Sequence, residues 1–359
     1  MITKIVITGG PCGGKSSAMP IIKNEFETLG YKVLTIHETA TELISSGIEI
    51  DECGVYDFQK NLLLLQLEKE RCVEMIAKSL EKRHEKILIV CDRGAMDGMS
   101  YLSREDFAKI KAECGLSTVD IRDKYDGVFH LVTAANGAER YYTLSNNSAR
   151  KESIKEAKKC DEDLISVWCG HPHLRIIDNS TNFEGKVNRL ITEIKHLLGE
   201  PEPLEIERKY LIEYPDIKYL DSLKNCHKIE IEQIYCTKNN KNFRLRKRGE
   251  SGEYVYFKTE KTQLSKTKRI EIESRISKEE YKENDAYING KIVKDRYCLV
   301  YGNKYFEIDV FPSWNDKALM EIELTDENEK YSLPDFIEVI EDVTGNTNYN
   351  NSTLALNNK

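Results

Sequence analysis

The run Gly9-Gly10-Pro11-Cys12-Gly13-Gly14-Lys15-Ser16 fits G-x-x-x-x-G-K-[ST]. It follows a short apolar run, Lys4-Ile5-Val6-Ile7-Thr8, which reads as a buried strand. A helix is expected from about Lys15. Strand, glycine loop and helix in that order are the context in which this motif binds phosphate. Glycines let the backbone curl with its N–H groups inward, and the helix start adds partial positive charge. Gly9, Gly10, Pro11, Cys12, Gly13, Gly14, Lys15, Ser16 and Ser17 are therefore the candidate nucleotide-binding residues. Lys15 is suited to the β- and γ-phosphates, and the Ser16 hydroxyl to Mg²⁺.

The rest of the N-terminal half fits that start. Tyr31–Ile36, Ile87–Cys91, Val128–Thr133 and Leu174–Ile177 read as further strands. Helical periodicity over Phe58–Ala77 and a closing helix over Asn188–Leu198 separate them. Alternation of this kind implies a parallel sheet covered on both faces, an α/β P-loop domain over residues 1–198. Asp92 follows the third strand, where a carboxylate at a strand tip suits Mg²⁺. Glu38 ends the second, where a general base for an acceptor hydroxyl is expected. Arg140 and Arg150 lie where a lid would bring arginines to the transferring phosphoryl group.

Gly199-Glu-Pro-Glu-Pro203 is a linker, because two prolines and a glycine after a helix mark a stop. From residue 204 to 359 the pattern changes to period two. Eight candidate strands follow: 204–211, 228–236, 242–248, 253–260, 267–276, 291–299, 303–311 and 318–324. They imply a mainly antiparallel domain, read as an eight-stranded β-barrel. The tail from Gly345 reads as loop.

These strands share an unusual chemistry. In Leu204-Glu205-Ile206-Glu207-Arg208-Lys209-Tyr210, alternation puts Glu205, Glu207 and Lys209 on one face. Arg244 with Arg246, Lys258, Arg269, Lys294 with Arg296, Asp309, and Glu321 with Glu323 repeat the split. A wet outer face does not require both signs on strand after strand. A charged interior does, provided the charges are paired or bind ions. Basic side chains would then grip a polyphosphate, and carboxylates would hold Mg²⁺ or Mn²⁺. Residues 238–269 carry 11 basic and 3 acidic residues in a chain of net charge −8. The overall charge gives no reason to expect nucleic-acid binding, and the interspersed carboxylates argue against it locally.

The E-x-E-x-K strand, with the later R-x-R, R-x-E-x-E, K-x-R and E-x-E strands, resembles the CYTH, or triphosphate tunnel metalloenzyme, superfamily over residues 204–324. The resemblance implies Glu205, Glu207 and Glu323 as metal ligands, supported by Glu321 and Asp309. It implies Lys209, Arg244, Arg246, Lys258, Arg269, Lys294 and Arg296 as phosphate binders. It also implies metal-dependent hydrolysis of a triphosphate, with Glu205, Glu207 and Lys209 taking part. The N-terminal half is similar to the P-loop domain of nicotinamide-riboside kinase. The fusion, ending in Leu333-Pro-Asp-Phe-Ile337 and Val343-Thr-Gly-Asn346, resembles the TRPL translocation-defect family. That likeness implies a bound nucleotide, GTP in the animal member, and a phosphoinositide-like ligand for the second domain. Three functions stay open: a tunnel triphosphatase, a regulatory nucleotide- and phosphoinositide-binding protein, and a small-molecule kinase. Neither ATP nor GTP is selected, and no N-K-x-D occurs.

Ten cysteines without a C-x-x-C pair suit a reduced, cytoplasmic protein without a zinc site. The chain starts directly on the first strand, so no targeting segment is expected. No apolar run approaches the ~20 residues of a membrane span, which leaves peripheral membrane contact.

Overall fold

The computed structural model describes residues 1–142, 153–201, 206–238, 241–263, 269–284, 288–326 and 328–357. For 241, 261–263, 269–272 and 357 the backbone alone is described. Arg150 and Glu205, both singled out above, lie outside the described residues, as does the side chain of Arg269. The chain divides into two compact units, Met1–Leu198 and Gly199–Lys359.

The first unit runs β1 (Ile2–Thr8), α1 (Lys15–Thr28), β2 (Lys32–Ile36), α2 (Thr39–Ser45), α3 (Ile50–Cys53), α4 (Val55–Leu80) and β3 (Ile87–Asp92). It continues with α5 (Arg104–Cys114), α6 (Thr118–Arg122), β4 (Gly127–Leu131), α7 (Ile154–Trp168), β5 (Leu174–Ile177) and α8 (Phe183–Leu198). The sheet order is β2-β3-β1-β4-β5, and every pairing is parallel. The expected α/β P-loop sheet is therefore present. β1 sits between β3 and β4, so the chain after β1 emerges at the switch point, where open α/β sheets bind ligands. Ile5, Ile7, Leu88, Val90, Phe129 and Leu131 pack against α1 and α8 through Ile22, Phe26, Leu190 and Ile194. That packing fixes the loop between β1 and α1 on a rigid base.

The second unit contains β6 (Ile206–Glu213), α9 (Ile217–Ser222), β7 (Cys226–Lys238), β8 (Lys241–Glu250), β9 (Glu253–Gln263), β10 (Arg269–Ile276) and α10 (Lys278–Lys282). Then come β11 (Ile288–Tyr301), β12 (Lys304–Val310), β13 (Lys317–Leu324), β14 (Val339–Asp342) and α11 (Asn351–Asn357). These form one antiparallel sheet of nine strands, ordered β10-β9-β8-β7-β11-β12-β13-β6-β14.

Three expectations are corrected here. β14 is a ninth strand, four residues long, and too short to show a period of its own. Among the described residues β10 and β14 each have one partner, so no hydrogen-bonded ladder closes the sheet into a barrel. The tail read as loop contains α11, whose Ala355 packs with Leu211, Ile292 and Phe311.

One face of this sheet is apolar. Ile212, Tyr297, Phe306, Ile308, Met320 and Ile322 pack with Leu220 of α9 and with Tyr331, Leu333 and Phe336. Tyr281 of α10 covers Ile234, Phe243, Leu245 and Tyr256 in the same way. The opposite face carries the charges. Among the described residues, no helix is long and apolar enough to cross a membrane.

Candidate functional site

The loop after β1 is built by positive φ angles. Gly9 lies at φ +137° and Gly14 at +96°, and even Cys12 is left-handed at 55°. A Cβ on Gly9 would sit 2.1 Å from the Leu131 carbonyl oxygen. The glycine is thus required by both backbone and space. Lys15 opens α1, and its ammonium folds back to donate to the carbonyls of Gly9 (2.6 Å) and Gly10 (3.0 Å). Burial, followed by repulsion from Arg93, lowers its pKa to about 8.

This loop forms one wall of a cavity of about 1060 Å³. Pro11 to Ser17 line it, as do Glu38, Asp92, Arg93 and Asp97 at the ends of β2 and β3. The parallel sheet brings these residues together by register, since Ile7 pairs with Asp92 and Ile36 with Cys91. A far wall comes from α4 through Phe58, Leu62 and Leu63. Another comes from the loop after β5 through Asn179 and Thr181, and from the start of α8 through Phe183.

Arg93 is left-handed at φ 70° and organises the carboxylates. Its Nε donates to Glu38 Oε1 (2.5 Å) and its Nη1 to Asp97 Oδ2 (3.4 Å). Burial pushes the Glu38 carboxyl up, but Arg93 and the Thr41 hydroxyl outweigh it and hold Glu38 below its ordinary value. Burial dominates at Asp92. Its carboxyl stands above the usual range, with Glu38 and Asp97 adding to the rise against Lys15. Asp92 and the exposed Ser16 hydroxyl fit a divalent cation, because Asp92 carries a desolvated charge beside other carboxylates.

Sequence reasoning missed the supports of this site. Asp97 accepts from Thr8 Oγ1 (2.8 Å) and Trp168 Nε1 (2.5 Å). Asn179 Nδ2 donates to the carbonyls of Thr133 (2.8 Å) and Asn136 (2.7 Å), and its oxygen accepts from Lys186 Nζ (2.8 Å). Lys186 Nζ also donates to Val132 O (2.6 Å), and burial lowers its pKa to about 8. The one available signal was position: each lies at the carboxyl end of a strand or on the helix that follows it. Arg140 lies in a short 3-10 turn, Glu139–Tyr141, with its guanidinium 4.6 Å from the Tyr141 ring centre.

In the second unit, ladder register places Lys209, Arg244, Arg246, Lys294, Arg296, Glu207, Asp309, Glu321 and Glu323 on one face. Its depth is closed to water: Asp309 is 0% exposed, Lys294 1% and Arg296 8%. Asp309 is held by both oxygens in the fork of Arg296 (2.6 and 2.7 Å) and bonds Lys294. Asp309, expected to support the metal ligands, is thus the counter-ion of these two cations. Glu321 lies 3.0 Å from Lys209 and 3.3 Å from Arg296. Arg246 and Arg244 share Glu273, at 2.5 and 3.3 Å. Glu207 and Glu323 are exposed register partners on β6 and β13. Burial first, and then the Glu321 and Glu323 carboxylates, hold Glu207 above its ordinary value against Lys209.

Lys258 does not belong to this face. It pairs in register with Leu245 and lies over the Phe243 ring at 5.3 Å, while Phe257 takes the inner position beneath Arg246. The expected phosphate-binding role of Lys258 on the charged face is therefore corrected. Among the described residues no three His, Cys, Asp or Glu side chains are grouped to hold a metal.

Two solved structures are similar to part of the chain, one titled as the inorganic triphosphatase NE1496 and the other as the hypothetical protein NE1496. Each is 27% identical and covers 43% of this chain, with 95% and 98% of their own lengths matched. The TM-score is 0.31 in both cases, so the fold here rests on strand pairing alone. No curated protein matches. A family model described as "AAA domain" matches residues 4–186, just over half of the 359 residues and the stretch that contains the phosphate loop, the cavity and α7. The chain belongs to that AAA-domain family.

Proposed function

We propose that the first unit binds a nucleoside triphosphate, ATP or GTP, with Mg²⁺, and passes its terminal phosphoryl group to a small hydroxyl-bearing acceptor. One observation carries this reading: the cavity continues past Lys15 to Glu38, Asp92 and Arg93, and on to the apolar wall of α4. Its volume of about 1060 Å³ matches the upper end of ligand pockets, roughly 300–1,000 Å³, which suits two ligands better than one. Lys15 would leave the loop carbonyls for the phosphates. Ser16 and Asp92 would hold Mg²⁺, which neutralises charge on the phosphoryl oxygens when bound. Glu38, kept ionised by Arg93, would accept the acceptor's hydroxyl hydrogen bond and orient it. A strong base is not needed, because phosphoryl transfer depends mainly on positioning and charge stabilisation.

Incubation with γ-labelled ATP or GTP and a panel of nucleosides, nicotinamide riboside among them, tests this. Labelled product that falls about 10- to 100-fold in Glu38→Gln, with nucleotide affinity kept, supports it. Tight nucleotide binding, lost in Lys15→Ala but without any labelled product, would leave a regulatory nucleotide switch instead.

A second reading concerns the charged face. Lys209, Arg244, Arg246 and Arg296 on one largely buried surface suit a triphosphate, or a phosphoinositide-like head group. Glu207 and Glu323 at its exposed part, with Glu205 just before β6, suit Mg²⁺ or Mn²⁺. Metal-dependent phosphate release from tripolyphosphate, abolished by Lys209→Ala and Glu207→Gln, would support hydrolysis there. Release that survives both changes excludes it.

A further inference from the structure

One carboxylate on α7 stands directly behind the phosphate loop. Asp161 Oδ1 accepts from Gly10 N–H (2.7 Å), Thr133 N–H (3.1 Å) and His130 Nε2 (3.0 Å). Its side chain is almost wholly buried. A Cβ on Gly10 would fall 2.6 Å from that same oxygen, so the contact tolerates no larger residue. Thr133 also ties down the next loop residue, its hydroxyl donating to Pro11 O at 2.5 Å. Gly10 is thus fastened to α7, and Pro11 to the chain just after β4.

The other side of the same peptide is also held. Lys15 Nζ donates to Gly9 O at 2.6 Å. The Gly9 carbonyl and the Gly10 N–H belong to one peptide unit. That unit therefore has an ammonium on its oxygen and a carboxylate on its hydrogen. Both bonds polarise it in the same sense, so each strengthens the other. When Lys15 turns to a nucleotide's phosphates, the oxygen side is released and the hydrogen side is not.

We propose that Asp161 is a positioning residue for the phosphate loop: it anchors the Gly9–Gly10 peptide through Gly10 N–H while Lys15 moves, so that the later N–H groups of the loop stay aimed into the cavity. This rests on reading Gly9–Ser16 as a nucleotide-phosphate site. It adds that α7, which follows the segment carrying Arg150, is tied to the loop through a charged group. A buried carboxylate that merely filled space would not need Gly10 N–H. His130 provides the contrast, since its Nε2 meets Asp161 while its buried Nδ1 has no hydrogen-bond partner among the described residues.

The test uses the full-length ¹⁵N-labelled chain, with ATP and GTP titrated in the presence of Mg²⁺. In the wild type the Gly10 amide resonance should lie downfield and exchange slowly. On nucleotide saturation it should move only part of the way upfield, as Lys15 leaves the Gly9 carbonyl, and keep its slow exchange, while the Lys15 and Ser16 amides shift. Asp161→Asn should move the Gly10 amide upfield and weaken nucleotide binding about 10- to 100-fold, the loss expected for a charge-assisted bond. His130→Gln should lower the melting temperature of the nucleotide-free protein yet leave nucleotide affinity within about twofold. Asp161→Asn with wild-type affinity and an unmoved Gly10 amide overturns the proposal. So do two variants that weaken binding only in proportion to their lost stability. Should Asp161→Asn fail to fold, the wild-type titration decides, because a Gly10 amide that loses its slow exchange at nucleotide saturation also overturns it. A wild type that binds neither nucleotide sinks the phosphate-site reading, and the Gly10 amide of the free protein then judges the anchor alone.

Discussion

Replacing Asp309 with asparagine removes one negative charge and almost no volume from the centre of the charged face. The side chain is 0% exposed, and its two cationic partners are nearly as deeply buried. The partners fare differently. Arg296 keeps Glu307 and Glu321. Lys294, among the described residues, keeps the amide oxygen of Asn351 at 3.0 Å and the Phe311 ring at 5.8 Å. Lys294 therefore bears most of the loss. Removing one partner of a buried ion pair costs about 3–5 kcal/mol. An independent ceiling comes from letting Lys294 shed its proton. From an unfolded value near 10.4 to pH 7, at about 1.36 kcal/mol per unit, that costs about 4.6 kcal/mol.

The two figures agree, and the second adds a sign. In the variant, burial and Arg296 depress the folded pKa of Lys294, so the unfolded chain binds the extra proton. Variant stability must then rise with pH, and the deficit should shrink to about 1.9 kcal/mol at pH 9. Urea unfolding at pH 7 and 9 measures this, with Trp314, packed 4.6 Å from Phe311, reporting on the second unit. Adding Lys294→Met to Asp309→Asn should recover most of the loss, because it removes the stranded charge. A deficit under about 1 kcal/mol at pH 7 that does not change with pH would refute the reasoning, since it would mean that water or another anion reaches Lys294.

Other outcomes follow from single geometric facts. Gly9→Ala would place a methyl group 2.1 Å from Leu131 O at φ +137°, so it should destabilise the first unit by about 3 kcal/mol or more, read from its melting transition. Arg246→Ala should weaken tripolyphosphate binding about 10-fold in calorimetric titration, whereas Lys258→Ala should leave it within about twofold, because Lys258 lies on the other face. Nucleotide affinity should be level below pH 8 and fall about tenfold per unit above it, because Lys15 loses its proton near pH 8 in the free protein and must regain it to hold phosphate. Affinity that is flat to pH 9.5 in the same titration would assign the phosphate contact to other groups.

The phosphate loop was legible because its constraints are local. A left-handed turn against a neighbouring strand demands glycine, and the demand is written within eight residues. Its supports were not. Asp161 and Gly10 are separated by 151 residues, Asp97 and Thr8 by 89, and neither carboxylate carries a spacing that announces its partner. In the second unit the charged face was legible through period-two patterning on most strands, and Lys258 shows where that rule ends. The rule assigns a charged residue to the charged side by type, yet β9 turns Phe257 inward under Arg246 and Lys258 outward over Phe243. Register, not residue type, decides the side, and a slip of one residue exchanges the two faces. Register here is set by Leu245 and Tyr256, which need the apolar cover provided by Tyr281 on α10. A lysine can lie outward along an aromatic ring with its ammonium in water, whereas a one-residue slip of β9 that turned Lys258 inward would also pull Tyr256 from its packing against Tyr281 and onto the charged side. The cheaper displacement is therefore the lysine's, and the apolar side of a strand is the safer guide to which way its charges point.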